Sequence, residues 1–366
     1  MSSSPTKLRR SDFGYEVPDA LVAQQPMAER DRSRLLVRQA NGALEHCIVS
    51  DLISELPSGT LLIFNDSRVI PGRLLGNLET GGRIEVFLLK RLSQPHRWEA
   101  LGKPLKKLKV GTRVLFARDM VGRCVERLDD RIVMEFDDGF DHWLNENGFI
   151  PLPPYIRRSD PLPASASDDR EIYQTVYARE SGSVAAPTAG LHFTRDLMNR
   201  LQERGVDLAS ICLHVGGGTF LPVKEDDLDA HPMHEESYLV PRETFEKILD
   251  AKRAGRPIVA VGTTTLRCLE SFALISDRNE DRMLEASDRW HSTDLFVRPH
   301  QRDDRYKPWA IDGLMTNFHQ PYSTLLMLIC ALVGYEETLA MYRAAIDEGY
   351  RLFSYGDSSL LWLTPR

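Results

Sequence analysis

Two textures divide this chain, and one kind of layer cannot serve both. From about Pro71 to Gly148, short alternating runs recur at Arg83 to Leu89, Arg113 to Phe116, Gly122 to Leu128 and Arg131 to Phe136. Gly81-Gly82, Gly111 and Asp129-Asp130 separate them. A period of two puts apolar side chains on one face of a strand, and strands this short and evenly spaced suit a small antiparallel barrel or sandwich. No helical period of useful length is read inside this block.

Elsewhere the pattern is strand then helix. Leu61 to Phe64 is an apolar run stopped by Asn65-Asp66, and Ile258 to Val261 opens into Gly262-Thr263-Thr264-Thr265 and a helix. Leu208 to Val215 runs into Gly216-Gly217-Gly218-Thr219, and Ile311 to Met315 into Thr316-Asn317-Phe318-His319. Thr194 and Ser323 are placed to cap helices, and Gly205, Gly255 and Gly349 to stop them. Pro151 to Tyr155 is a stiff, polyproline-like exit from the β block. The expected fold class is α/β. One α/β domain would be built from both ends of the chain, residues 1–70 and 149–366, with residues 71–148 inserted as a small antiparallel β-barrel. Residues 1–10 are Ser-rich and basic and read as a disordered tail; Pro161 to Asp169 reads as a loop.

With 366 residues, the chain is longer than one core usually serves. A formal net charge of -7 argues against an all-over basic nucleic-acid binder, but not against a local patch. Five scattered cysteines form no CxxC pair and read as reduced thiols. The longest apolar stretch, Leu325 to Val333, is short of the roughly 20 residues a bilayer needs. A cytoplasmic protein with no membrane partner is the expectation.

Small, polar and ionisable residues gather where strands end: Ala186 to Phe193, His214 to Phe220, Gly262 to Thr265, Thr316 to His319 and Ser354 to Asp357. Ligands of α/β sheets bind at the carboxyl ends of strands, so these segments together predict one composite pocket. Gly262 to Arg267 could hold a phosphate or carboxylate on backbone N–H groups, or could only begin a helix. Neither Walker loop nor GxGxxG occurs. Pro232 weakens His231 and His234 as a helical metal pair, and no metal is expected. Lys103, Lys106, Lys107 and Lys109 are the densest basic run, either an RNA contact or a solvated hairpin.

In order along the chain stand Phe64-Asn65-Asp66-Ser67-Arg68-Val69-Ile70-Pro71, Gly81-Gly82-Arg83-Ile84-Glu85-Val86, Pro151 to Ile156, Tyr173 to Ala178, Ala185 to Phe193, and Leu213 to Gly216. Met233-His234 with Glu236, Val261 to Thr264, Thr316 to His319 and Phe353 to Asp357 complete the series. Taken together, these motifs resemble the S-adenosylmethionine:tRNA ribosyltransferase-isomerase family over nearly the whole chain. Departures are Ser67 for Thr, Gly72 for Ala, Gln320 for Leu, and Ser358-Ser359 for Ala-Met; none removes an ionisable group.

The resemblance implies a barrel-like α/β domain carrying an inserted β-barrel. It implies transfer of the ribosyl part of S-adenosylmethionine to 7-aminomethyl-7-deazaguanine in a tRNA anticodon, with rearrangement to epoxyqueuosine and loss of adenine and methionine. S-adenosylmethionine would be a substrate, with no cofactor and no obligate protein partner. On this reading, His234, Glu236, Asp312 and His319 carry acid–base work. Thr263, Thr264, Thr265 and Arg267 hold the methionine carboxylate or an RNA phosphate. Gly216, Gly217, Gly218 and Thr219 shape the adenosine pocket; Thr188, His192, Asn317, Tyr355 and Asp357 are further candidates for binding substrate in the site. Arg157 and Arg158 join the lysines on RNA. The alternative is a non-catalytic RNA-binding module.

Overall fold

The computed structural model describes residues 7–158, 169–217 and 225–364. Two sheets organise it. The first has nine strands, introduced here in chain order: β1 (Arg34–Arg38), β2 (Leu44–Ile48), β3 (Leu61–Asn65), then, beyond the barrel, β12 (Asp207–Leu213), β13 (Glu236–Leu239), β14 (Ile258–Val261), β15 (Trp290–Thr293), β16 (Gly313–Asn317) and β17 (Ser358–Trp362). The intervening numbers are β4 (Ser67–Val69) and β11 (Glu180–Ser183), which pair with each other, and β5 (Arg73–Leu78), β6 (Arg83–Arg91), β7 (Arg97–Lys103), β8 (Arg113–Phe116), β9 (Val121–Arg127) and β10 (Ile132–Phe136).

The nine strands lie in the order β15-β13-β12-β3-β14-β16-β17-β1-β2. β12, β3, β14 and β16 run parallel to one another. Parallel strands covered on both faces read as continuous apolar runs, and β3 and β14 are buried at every position. β3 precedes the barrel in sequence yet pairs with β12 and β14, so residues on both sides of the barrel share one sheet. The α/β class and the small antiparallel barrel both hold, while the main sheet runs open from β15 to β2.

β10-β7-β6-β5-β8-β9 close into a barrel. Alternation fills it: Ile84, Val86 and Leu88 of β6 point inward, as do Val114 and Phe116 of β8. A helix, Phe140–Asn147, then covers the barrel with Phe140, Trp143 and Leu144. This corrects the expectation of no helix in the block. The spacing i, i+3, i+4 is present, but only one turn of it is apolar. Phe140 stacks on Phe136 at 3.8 Å between ring centroids.

Thr194 accepts from the Leu197 N–H at 3.1 Å and Ser323 from that of Leu326 at 3.2 Å, so both caps form. The tail expectation fails for Lys7 to Arg10. Leu8 is buried in the main core, its N–H donates to the His300 carbonyl at 2.9 Å, and Arg10 begins a short 3-10 turn ending at Phe13. Among the described residues, no single helix is long and apolar enough to cross a membrane. All five cysteines are free thiols.

Candidate active site

Because β3, β12, β14 and β16 are parallel, their carboxyl ends meet along one edge of the sheet. Buried Asn65 ties that edge together. Its amide donates to the Leu213 carbonyl at 3.0 Å and to Thr264 Oγ1 at 3.3 Å, and its oxygen accepts the N–H groups of Ser67 and Leu213. Beside it opens a cleft of about 400 Å³. Of the residues singled out from sequence, Thr188, His234, Glu236, Thr263, Thr264, Arg267, Asn317 and His319 line it.

At the cleft wall, buried Glu236 and buried Arg267 form an ion pair of 2.5 Å. The second Glu236 oxygen accepts the Gly216 N–H at 2.9 Å. Arg267 Nε donates to the Leu295 carbonyl at 3.1 Å, while its Nη2 is buried with no partner. A buried donor left unpaired is costly, so it points to a ligand acceptor. The helix Thr263–Ile275 starts at the same wall. Its N-cap is Gly262, at φ 92, and no side chain caps it, so threonine is not the cap weighed from the sequence. Only glycine adopts such a φ without strain. Free N–H groups at a helix start, with a guanidinium beside them, form a cradle for a carboxylate or phosphate.

Burial lowers the His319 pKa to about 3, so this ring is uncharged at neutral pH. Its Nε2 lies 2.9 Å from Thr316 Oγ1, its N–H donates to the Tyr342 hydroxyl at 3.0 Å, and its carbonyl accepts from Tyr15. In that state the ring meets its neighbours through hydrogen bonds. His192, lowered to about 4 by burial first and by Arg351 second, touches Asn317 Nδ2 at 3.3 Å behind the lining. Asn317 passes the contact forward, since its oxygen accepts from Thr188 at 2.9 Å.

Other expected residues stand elsewhere. Thr265 donates to the Val261 carbonyl one turn back and is wholly buried. Asp357 accepts the Arg34 and Arg351 N–H groups, which fixes chain turns. Tyr355 is buried against Tyr173. Asp312 is exposed ahead of β16, at the end of the strand away from the cleft, and accepts the Ile258 N–H at 3.0 Å. Gly216 supplies the N–H to Glu236; Gly217 packs where a Cβ would lie 2.2 Å from Leu89 of the barrel. Gly218 and Thr219 lie outside the described residues.

Lys103, Lys106, Lys107 and Lys109 are exposed on the barrel. Glu85 pairs with Lys103 in the β6–β7 register, whereas Lys90 of β6 meets Glu235 at 3.3 Å. At about 3.4 Å per residue, Lys103 therefore sits roughly 17 Å along the strand from the Lys90–Glu235 contact with the sheet domain, and Lys106, Lys107 and Lys109 follow beyond the end of β7. Arg157 is exposed beside a polar groove of about 770 Å³ that shares Tyr155, Gln320 and Phe353 with the cleft. Arg158 is spent: Nε and Nη2 bind Asp169 at 3.2 and 2.8 Å, and Nη1 donates to the Gln24 and Arg157 carbonyls. Sequence reasoning missed Arg10, Tyr155 and Tyr322, which also line the cleft. The Pro153-Pro154-Tyr155 string was a usable signal; nothing in the basic tail marked Arg10. Among the described residues, no three His, Cys, Asp or Glu side chains group as metal ligands.

Fold and cleft define an α/β protein with a cleft at its strand ends that holds ionisable side chains, and a β-barrel beside the sheet. The family described as "Queuosine biosynthesis protein" matches residues 10–361. The chain is 43% identical over 355 residues to the S-adenosylmethionine:tRNA ribosyltransferase-isomerase of Citrifermentans bemidjiense, covering 96% of this chain and 99% of that one. It is 43% identical over 360 residues to the protein of that name from Clostridioides difficile, covering 97% and 100%. The crystal structure of S-adenosylmethionine tRNA ribosyltransferase from Thermotoga maritima aligns with a TM-score of 0.51 and 32% identity, over 96% of this chain and 99% of that one. The chain belongs to the S-adenosylmethionine:tRNA ribosyltransferase-isomerase family of queuosine biosynthesis proteins.

Proposed function

We propose that this protein transfers the ribosyl part of S-adenosylmethionine to the aminomethyl nitrogen of 7-aminomethyl-7-deazaguanine in a tRNA anticodon and isomerises it to epoxyqueuosine. Adenine and methionine leave. The observation that carries this reading is the Glu236–Arg267 pair, with Arg267 Nη2 unpartnered beside an uncapped helix start. That cradle suits the methionine carboxylate, with Thr263 and Thr264 at its rim. Glu236 then takes the proton that the sulfonium acidifies on the adjacent 5′ carbon, and His234 serves the departing adenine. His319, uncharged, orients by hydrogen bonding. Asp312 lies too far along β16 to take part.

The tRNA is bound by a confined surface: the four barrel lysines for the backbone and Arg157 near the cleft, with Arg158 assigned to the fold. The modified base leaves its stack to enter the cleft, since a reacting atom buried in a loop cannot be reached otherwise. Free thiols fit a reducing, cytoplasmic setting. The relatives bear the names of transferases, which leaves the non-catalytic RNA-binding alternative without support. The test is mass spectrometry of nucleosides from tRNA carrying the precursor base, incubated with the protein and S-adenosylmethionine. Epoxyqueuosine with free adenine and methionine is expected; a folded protein that consumes no donor overturns the reading.

A further inference from the structure

Residues 8–15 lie outside the sheet and bring Arg10 to the cleft. Tyr322 donates its N–H to the Phe13 carbonyl at 2.9 Å, Tyr335 its hydroxyl to the Asp12 carbonyl at 2.6 Å, and Tyr15 to the carbonyl of His319. These bonds fasten the segment to the loop that follows β16 and to the start of the second helix after it, Tyr335–Asp347. The result places Arg10 and Tyr322 together at the opening, both lining the cleft, with the guanidinium 5.3 Å from the ring centroid.

The geometry around Tyr322 is specific. Its φ is +61, a region bulky residues avoid, and such strain persists where surroundings impose it and often marks a site of use. Gly14 makes room for it: a Cβ there would lie 2.6 Å from the Tyr322 hydroxyl. Despite this fixing, the residue is 41% exposed. Burial is therefore not what the strain secures. A ring held rigid, half in solvent, with a cation over it, is a stacking platform.

We infer that Arg10 and Tyr322 stack a nucleobase of the RNA that flanks the reacting base. This rests on the proposed activity and names a contact within it. Bases unstacked from a loop are commonly held on aromatic rings and guanidinium planes, and such contacts tolerate sequence because every base has a π-face. The donor's own adenine is the other nucleobase present, but a reactive donor belongs inside, away from water, and this opening faces solvent.

The test is binding of tRNA carrying the precursor base, and separately of S-adenosylmethionine, to wild type, Tyr322→Ala, Tyr322→Trp and Arg10→Ala. One stack is worth roughly 1–3 kcal/mol, so Tyr322→Ala should weaken tRNA binding about five-fold or more. Its KM for tRNA should rise more than kcat falls. Tyr322→Trp should restore affinity, which a merely structural role for the phenol would not allow. Donor affinity should not move. Unchanged tRNA affinity in Tyr322→Ala, with the circular dichroism of wild type, overturns the inference. A selective loss of donor affinity overturns it too, by assigning the ring to the donor's adenine. Wild type that binds tRNA without making epoxyqueuosine would sink the activity alone, since this test reads binding.

Discussion

Glu236 holds Arg267 at 2.5 Å while the far nitrogen of the same guanidinium stays unpaired at the cleft wall. The pair is thus both a structural joint, linking β13 to the helix after β14, and the origin of the anion cradle. Those two duties separate on mutation. Removing one member of a buried pair strands the other charge, at a cost of about 3–5 kcal/mol. Glu236→Ala should therefore lose stability as well as turnover. Glu236→Gln keeps the shape but also leaves the buried Arg267 charge without its counter-charge, so it should lose some stability, less than Glu236→Ala, while losing roughly 100-fold or more in epoxyqueuosine formation. Thermal melting and nucleoside mass spectrometry check this; Glu236→Gln with wild-type turnover would remove the acid–base assignment.

Arg267→Lys addresses the cradle. Lysine keeps the charge but cannot reach Glu236, Leu295 and a ligand from one fork. Affinity for S-adenosylmethionine should fall about ten-fold or more, the loss of a charged hydrogen bond of roughly 1.5–3 kcal/mol. Calorimetric titration with the donor reads it, and an unchanged affinity would place the carboxylate elsewhere.

Burial sets a pH dependence. His319 and His192 titrate in the fold at about 3 and about 4, against 6.5 for the free side chain. Both depressed values mean that the unfolded chain binds protons the fold refuses. The stability held by the neutral rings is complete above pH 6.5 and falls as pH drops toward 4 and 3. Each ring should contribute a slope near 1.4 kcal/mol per pH unit at most in that window. Urea unfolding at pH 7.5 and pH 5 should show the decline, and His192→Asn should lessen it by that ring's share. A slope identical in that variant would mean that other groups control acid sensitivity.

The barrel lysines predict a salt effect. Charge reversal at Lys106 and Lys107 should weaken tRNA binding and reduce the slope of log affinity against log salt by about 0.7–0.9 for each phosphate no longer neutralised. Turnover at saturating tRNA should persist, since these lysines lie beyond Lys103, which itself stands roughly 17 Å of strand from the Lys90–Glu235 contact with the sheet domain. Unaltered affinity at low salt would leave the run as a solvated hairpin.

Much of this was readable in advance, and the reasons differ by residue. β3 and β14 announced themselves because a parallel strand buried on both faces is apolar throughout. Thr263 and His319, which line the cleft, were legible because they follow directly on such strands, whereas Glu236 opens the antiparallel β13 and came from the family motif. Thr265 and Asp357 were drawn in by the same rule but do not line the cleft: Thr264 and Thr265 are successive residues of a helix and so point different ways, with Thr265 bonded to the turn before it, and Asp357 precedes β17 and fixes the chain there. Asp312 precedes its strand, and strand direction in space is not written in any local pattern. Arg158 looked available because its partner Asp169 stands eleven residues on, beyond a proline-rich stretch. Arg10 and Tyr322 meet across the fold, from opposite ends of the chain, and only packing brings them together.

Two glycines at the root of the barrel differ in what surrounds them. Gly148 closes the barrel's helix, and a Cβ there would stand 2.1 Å from the Pro71 carbonyl oxygen and 2.8 Å from that of Leu144. Both are backbone atoms. Next to it, Phe149 and Arg73 exchange N–H to carbonyl bonds at 2.9 Å each, so the chain cannot part there without breaking the junction. At Gly72 the nearest atoms would be side-chain carbons of Leu88 and Ile70 at 3.4 and 3.5 Å, which is ordinary contact. Gly72→Ala should thus be neutral or gain about 0.4–1 kcal/mol by restricting the unfolded chain. Gly148→Ala should lose about 1–3 kcal/mol to overpacking. Urea unfolding of both variants decides the matter. Equal stabilities would mean that the barrel root yields freely, and that close approach of the chain to itself is not what requires glycine at 148.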